Sequence, residues 1–165
     1  MRVEILTEDA AWDALPEREF LARRAAEVVQ ALVPGLPEEA EVSILFADDD
    51  RLAALNRTFR NKSGPTNVLS FPAPAPVVGI PGVPRLLGDI VLAHGVVNAE
   101  AEGQGKALAS HVSHLIVHGM LHLLGHHHDD DDAAAAMQAL ETAAQQQLGF
   151  PDPYKTGSAR VDAGH

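Results

Sequence analysis

The stretch SHVSHLIVHGMLHLLGHHHDDDD, residues 110–132, decides how this chain is read. Apolar residues recur in it at helical spacing, so a helix is expected from Ala107 to Leu124, stopped by Gly125. On that helix His118 and His122 stand four residues apart. At 3.6 residues per turn they share one face, one turn apart, and two imidazoles can reach one ion. Gly125 lets the chain turn back, and His128 can then supply a third nitrogen, giving H-x3-H-x5-H. Three neutral imidazoles leave a tetrahedral zinc ion one open position, which separates catalytic sites from closed structural ones. His126 and His127 are alternative ligands by proximity. His114 lies one turn before His118, but the span from His114 to His122 is about 12 Å along a straight helix. His114 is therefore expected to support the ligands or simply to pack. The run Asp129 to Asp132 reads as the acidic start of the next helix.

The comparison with zinc peptidases separates two chemistries. In H-E-x-x-H the glutamate between the ligands is the general base of peptide hydrolysis. Here His118 is followed by Gly119, and no acid lies between the histidines. That counts against a peptidase and for a substrate that needs chiefly charge neutralisation.

Composition narrows the remaining classes. The chain has 165 residues, 46% of them hydrophobic and 21% charged, which suits one globular domain with a real core. It has no cysteine, so disulfides, thiolate metal sites and a cysteine nucleophile are excluded. No apolar run approaches the roughly 20 residues of a membrane span. The start MRVEILTEDA is unlike a signal peptide, and a cytoplasmic protein is the expectation. Net charge is -11, which as a whole repels nucleic acid. Between Arg51 and Gly88, however, Arg51, Arg57, Arg60, Lys62 and Arg85 occur without a single acid.

Outward from the histidines, strands are expected at 2–6, as a sheet edge, and at 41–46, 67–71 and 88–93. Helices are expected from Pro16 to Val33, from Asp48 to about Phe59, from Ala93 to Gln104, and from Asp131 to Leu148. Phe20, Ala25, Val28, Val29 and Leu32 should form the apolar face of the first, and Leu52, Leu55 and Phe59 that of the second. Pro72, Pro74, Pro76, Pro81 and Pro84 make 72–84 a surface loop. The result is an α+β class: a small mixed four-stranded sheet with about five helices packed on it and a metal site at the end of a helix. Residues 1–150 are expected to form a single domain, and 151–165, polar with little apolar content, a disordered tail.

Three blocks resemble the YbeY family of bacterial metal-dependent endoribonucleases. The first is His118-Gly119-Met120-Leu121-His122-Leu123-Leu124-Gly125 closed by His128. The second is Arg60-Asn61-Lys62 followed by Pro65-Thr66-Asn67-Val68-Leu69-Ser70-Phe71-Pro72, and the third Leu87-Gly88-Asp89-Ile90-Val91. Met137 and Glu141 also sit where the family has a Met and a Glu on its last helix. The resemblance implies a zinc-dependent endoribonuclease for single-stranded RNA, acting in 16S rRNA 3′-end maturation and 70S ribosome quality control. It implies one Zn2+ per chain on His118, His122 and His128, and a functional arginine at Arg60. Ribosomal RNA, a small-subunit ribosomal protein and a ribosome-associated GTPase are the implied partners. One position departs from the family pattern: Gly125-His126-His127-His128 stands where Gly-Tyr-Asp-His is usual, so His127 replaces an aspartate. The rival expectations are a non-catalytic assembly factor with a structural metal, and another metal-dependent hydrolase. Ser70 reads as a strand-end residue, and Asp89 is left outside the site.

Overall fold

The structure, a computed structural model, describes residues 1–36, 39–74 and 85–155. Four strands form one sheet: β1 (Arg2–Thr7), β2 (Ala40–Ala47), β3 (Val68–Pro72) and β4 (Arg85–Ala93), in the order β1-β2-β4-β3. β1 runs parallel to β2 and β2 parallel to β4, whereas β3 is antiparallel to β4. The sheet is thus mixed, with β1 at an edge. Most of the proline-rich segment expected as a loop, 75–84, lies outside the described residues.

Five α-helices accompany the sheet: α1 (Arg18–Leu32), α2 (Asp49–Arg60), α3 (His94–Gln104), α4 (Leu108–Leu123) and α5 (Asp131–Gln147). α1 and α4 pack together against one sheet face, where Val42, Ile44 and Phe46 of β2 and Ile90 and Leu92 of β4 meet Val112, Ile116 and Met120 of α4. α2 takes part of the other face, burying Leu52 beside Leu69 and Val91. Its first turn is held as expected: the Arg51 N–H donates to the Asp48 side chain at 2.8 Å.

Two phenylalanines depart from expectation. Phe20 is 65% exposed. α1 buries Leu21, Ala22, Ala25, Ala26, Val28 and Val29, and at 100° per residue Phe20 falls on the far side of that stripe. Phe59 keeps the sheet-facing side of α2 and meets Phe71 edge-on at 5.5 Å, yet it is 66% exposed because the groove beneath it stays open. A short 3-10 turn at Ala10–Ala14 was not expected. It buries Trp12 completely, and the indole N–H donates to the Ala47 carbonyl at 2.8 Å.

Two glycines position α4. Gly119 faces the sheet so closely that a Cβ there would stand 3.0 Å from Ser70 Oγ and 3.2 Å from Ile90 side-chain carbons. Position 119 therefore lies on the packed side of α4, about 100° around the helix from His118. Gly125 adopts φ +93°, a left-handed conformation that favours glycine. It ends α4 with two reversed hydrogen bonds, Gly125 N–H to the His122 carbonyl and His126 N–H to the Leu121 carbonyl, both 3.0 Å. The chain turns back at that point.

Candidate metal centre

The turn after α4 brings the predicted histidines together. His118 and His122 project from the last two turns of the helix, and His128 returns to them from the loop before α5. One ring nitrogen of each lies within 4.8 Å of those of the other two. His118 Nε2 and His122 Nε2 are 3.1 Å apart. The His128 ring is 6.0 Å from that of His118 and 5.3 Å from that of His122, centroid to centroid. His127 also lines the cleft but is not one of the three converging rings: its Nδ1 accepts from the Asp129 N–H at 3.3 Å, and the side chain is 49% exposed.

Behind the triad sits a second layer. Glu141 of α5 is buried and receives three donors. These are His118 Nδ1 on Oε2 at 3.2 Å, His114 Nε2 on Oε1, and the Tyr154 hydroxyl on Oε1 at 2.5 Å. Burial alone would push the Glu141 carboxyl up, but the hydrogen bonds from His114, His118 and Tyr154 outweigh it and hold the pKa at about 2. Glu141 is thus a carboxylate that only accepts, so His118 must carry its proton on Nδ1. Its Nε2 stands on the other side of the ring, towards His122.

That arrangement tests whether a cation suits the site. Two imidazole nitrogens 3.1 Å apart converge with a third on one small volume. Burial first, and then the neighbouring imidazoles of His118 and His128, lower the pKa of His122, which favours its neutral, ion-binding form. The donor set fits a divalent ion of the kind imidazole binds. The carboxylate–imidazole contact behind it is the arrangement that fixes a ligand's tautomer in metal sites. His114, held by Glu141, stands in this supporting layer rather than among the three converging nitrogens.

The triad opens into a cleft of about 770 Å³ lined by the histidines, Arg60, the strand β3 and residues 153–154. Arg60, last residue of α2, reaches this wall and makes no ion pair among the described residues. Ser70, in β3 and in the cleft wall, donates its Oγ hydrogen to the Gly119 carbonyl at 3.3 Å. Asn67 Nδ2 donates to Glu100, which also pairs with His111 at 2.9 Å, and this network braces the far wall. Asp89 lies on the other side of the sheet, in the groove lined by Leu6 and Phe59. From sequence alone the Glu141 contact could be placed only by family position. Tyr154 was missed altogether, because it falls in the segment read as a tail; residues 151–155 are described and pack, and 156–165 lie outside the described residues.

Comparison with known proteins agrees with this architecture. The profile of the family described as Endoribonuclease YbeY matches residues 8–149. The Endoribonuclease YbeY of Dinoroseobacter shibae is 50% identical over 165 aligned residues, covering 93% of this chain and 91% of its own. That of Paramagnetospirillum magneticum is 50% identical over 149, covering 87% and 90%. The solution structure of a Thermotoga maritima protein superposes with a TM-score of 0.56 at 21% identity, covering 93% of this chain and 99% of that one, which supports the fold. By profile and by curated relatives along most of its length, the chain belongs to the YbeY endoribonuclease family.

Proposed function

We propose that the protein is a zinc-dependent endoribonuclease for single-stranded RNA, with one Zn2+ per chain held by His118, His122 and His128. The convergence of three imidazole nitrogens at the floor of an open cleft carries this reading. His118, His122 and His128 would hold the ion, which would supply charge neutralisation at a phosphodiester oxygen and a lowered pKa for water. The chain's own residues do the rest. Glu141 holds the proton of His118 on Nδ1 and keeps the ring aimed into the cleft. Arg60, exposed at the end of α2 and free of acidic partners among the described residues, offers a planar fork of donors to a phosphate oxygen. It opposes the charge that builds up as the phosphodiester reacts. Of the cations between Arg51 and Gly88, Arg60 reaches the cleft, whereas Arg51 is paired with Glu8 at 2.8 Å in the groove on the other sheet face.

Position 119 supports phosphodiester over peptide chemistry. A side chain there would crowd Ser70 and Ile90, so the packing leaves no room for the glutamate a peptidase carries at this place. By resemblance to the family, the proposal extends to 16S rRNA 3′-end maturation and 70S ribosome quality control in the cytoplasm, and to contacts with a small-subunit ribosomal protein and a ribosome-associated GTPase. The working unit is one domain over residues 1–150, with Tyr154 added to the cleft wall.

The test is a cleavage assay on a single-stranded RNA with protein that has been stripped by chelator and then given back zinc. Cleavage should vanish on stripping and return with zinc. Cleavage that persists in the stripped protein, or a strand left intact by the zinc-loaded protein, rejects the proposal.

A further inference from the structure

Tyr154 stands in the wall of the histidine cleft. Its hydroxyl is spent on Glu141, and its ring meets His114 edge-on, centroids 5.5 Å apart and planes at 81°. The backbone around it is tied down as well. Lys106 Nζ donates to the Pro153 carbonyl at 2.7 Å, the Tyr154 N–H to Asp152 Oδ1 at 2.9 Å, and the Thr142 hydroxyl to the same Asp152 oxygen at 3.3 Å. A ring held at its hydroxyl, along one edge and through its backbone has little freedom left to lose. It is nevertheless 46% exposed.

Exposure of such a ring at this place is informative because aromatic surface is scarce here. The chain has one Tyr, one Trp and five Phe. Trp12 and Phe46 are fully buried, and Phe59 and Phe71 line the groove on the opposite face of the sheet. Among the described residues, Tyr154 is the only Phe, Tyr or Trp in the wall of the cleft. Proteins that hold single strands stack the unpaired bases on aromatic faces, and a preorganised ring does so at low entropic cost. Holding Glu141 through the hydroxyl does not by itself account for an exposed aromatic residue in the cleft wall.

We propose that Tyr154 is a base-stacking platform: an unpaired nucleobase of the RNA strand stacks on its exposed ring beside the histidine triad. The proposal rests on RNA being the substrate of the cleft. Hydroxyl and ring then have separate tasks, the first holding Glu141 and the second binding a base. With Arg60 on the same cleft, a strand is gripped at a phosphate and at a base.

The experiment measures binding of a fluorescein-labelled, single-stranded 2′-O-methyl oligonucleotide by anisotropy, using zinc-loaded wild type, Tyr154→Phe and Tyr154→Leu. Melting temperature and zinc content are followed in parallel. Tyr154→Leu should weaken binding by about 5- to 150-fold, the range spanned by stacking of one base. Tyr154→Phe, which keeps the ring, should bind nearly as wild type. A strand with abasic positions should bind wild type more weakly and Tyr154→Leu unchanged; its wild-type arm stands even if the leucine variant does not fold. Wild-type affinity in Tyr154→Leu, equal losses in the two variants, or indifference of wild type to abasic positions would overturn the platform while leaving the nuclease reading intact. A wild-type protein that binds no strand overturns both.

Discussion

At the scale of the residue, the account turns on which groups touch the histidine triad and which merely neighbour it. Arg60 should act on the substrate and on nothing else in the fold, since it makes no ion pair among the described residues. Arg60→Ala should lower kcat/KM for RNA cleavage by about 10²-fold, as loss of one transition-state donor does. Melting temperature and zinc content should stay nearly unchanged. Glu141 acts on the other side of the triad. Glu141→Gln should weaken zinc binding by roughly 10–100-fold, the usual effect of losing the group that orients a ligand imidazole, and zinc titration reads it directly. Glu141 also ties stability to acidity. Its carboxyl takes up a proton near the ordinary value of 4.5 in the unfolded chain, but near 2 in the folded one. The stability it contributes is present in full above about 4.5 and is lost as pH falls from there through about 2. Denaturant titrations of the metal-free protein should show that decline, and Glu141→Gln should remove its share of the slope. The metal ligands were legible in sequence because helical spacing and a helix-stopping glycine are local. The Tyr154–Glu141 contact was not, because it joins α5 to a segment with no periodicity of its own.

At the scale of the element, α4 is fixed from two sides. Its packed side depends on Gly119, and its open side presents His114, His118 and His122. Gly119→Glu would restore the peptidase spelling, but it drives a carboxylate against Ser70 and Ile90. Destabilisation of at least about 3 kcal/mol is expected, from overpacking and an unpaired buried charge. No peptide hydrolysis should appear. Chemical denaturation checks the first point and a casein assay the second; a stable variant would mean that α4 does not press on the sheet as described. The five α-helices and four strands among the described residues could be read from caps, periodicity and prolines. Phe20 and Phe59 could not be placed so easily. Periodicity says which side of a helix a residue takes, but the extent to which a partner covers that side is a tertiary fact.

At the scale of the whole molecule, a chain of net charge -11 must bind an anionic polymer through a restricted cationic region. Binding of single-stranded RNA should therefore be weak and strongly salt-dependent. Arg60→Ala should make the slope of log K against log salt shallower by about 0.7, the share of one phosphate contact on a single strand. Anisotropy titrations at several salt concentrations measure it. Charge sign and its uneven distribution were visible in the sequence. That the acid-free stretch delivers Arg60 to the wall of the histidine cleft was not, because it depends on how α2 and β3 lie against α4. The central claim is that His118, His122 and His128 together hold one divalent ion, and elemental analysis tests it most directly. Wild type and His127→Ala should each carry about one zinc per chain, and His128→Ala and the His118→Ala/His122→Ala double variant should lose it. Zinc retained in full by the double variant, or lost from His127→Ala while His128→Ala keeps it, would contradict the account.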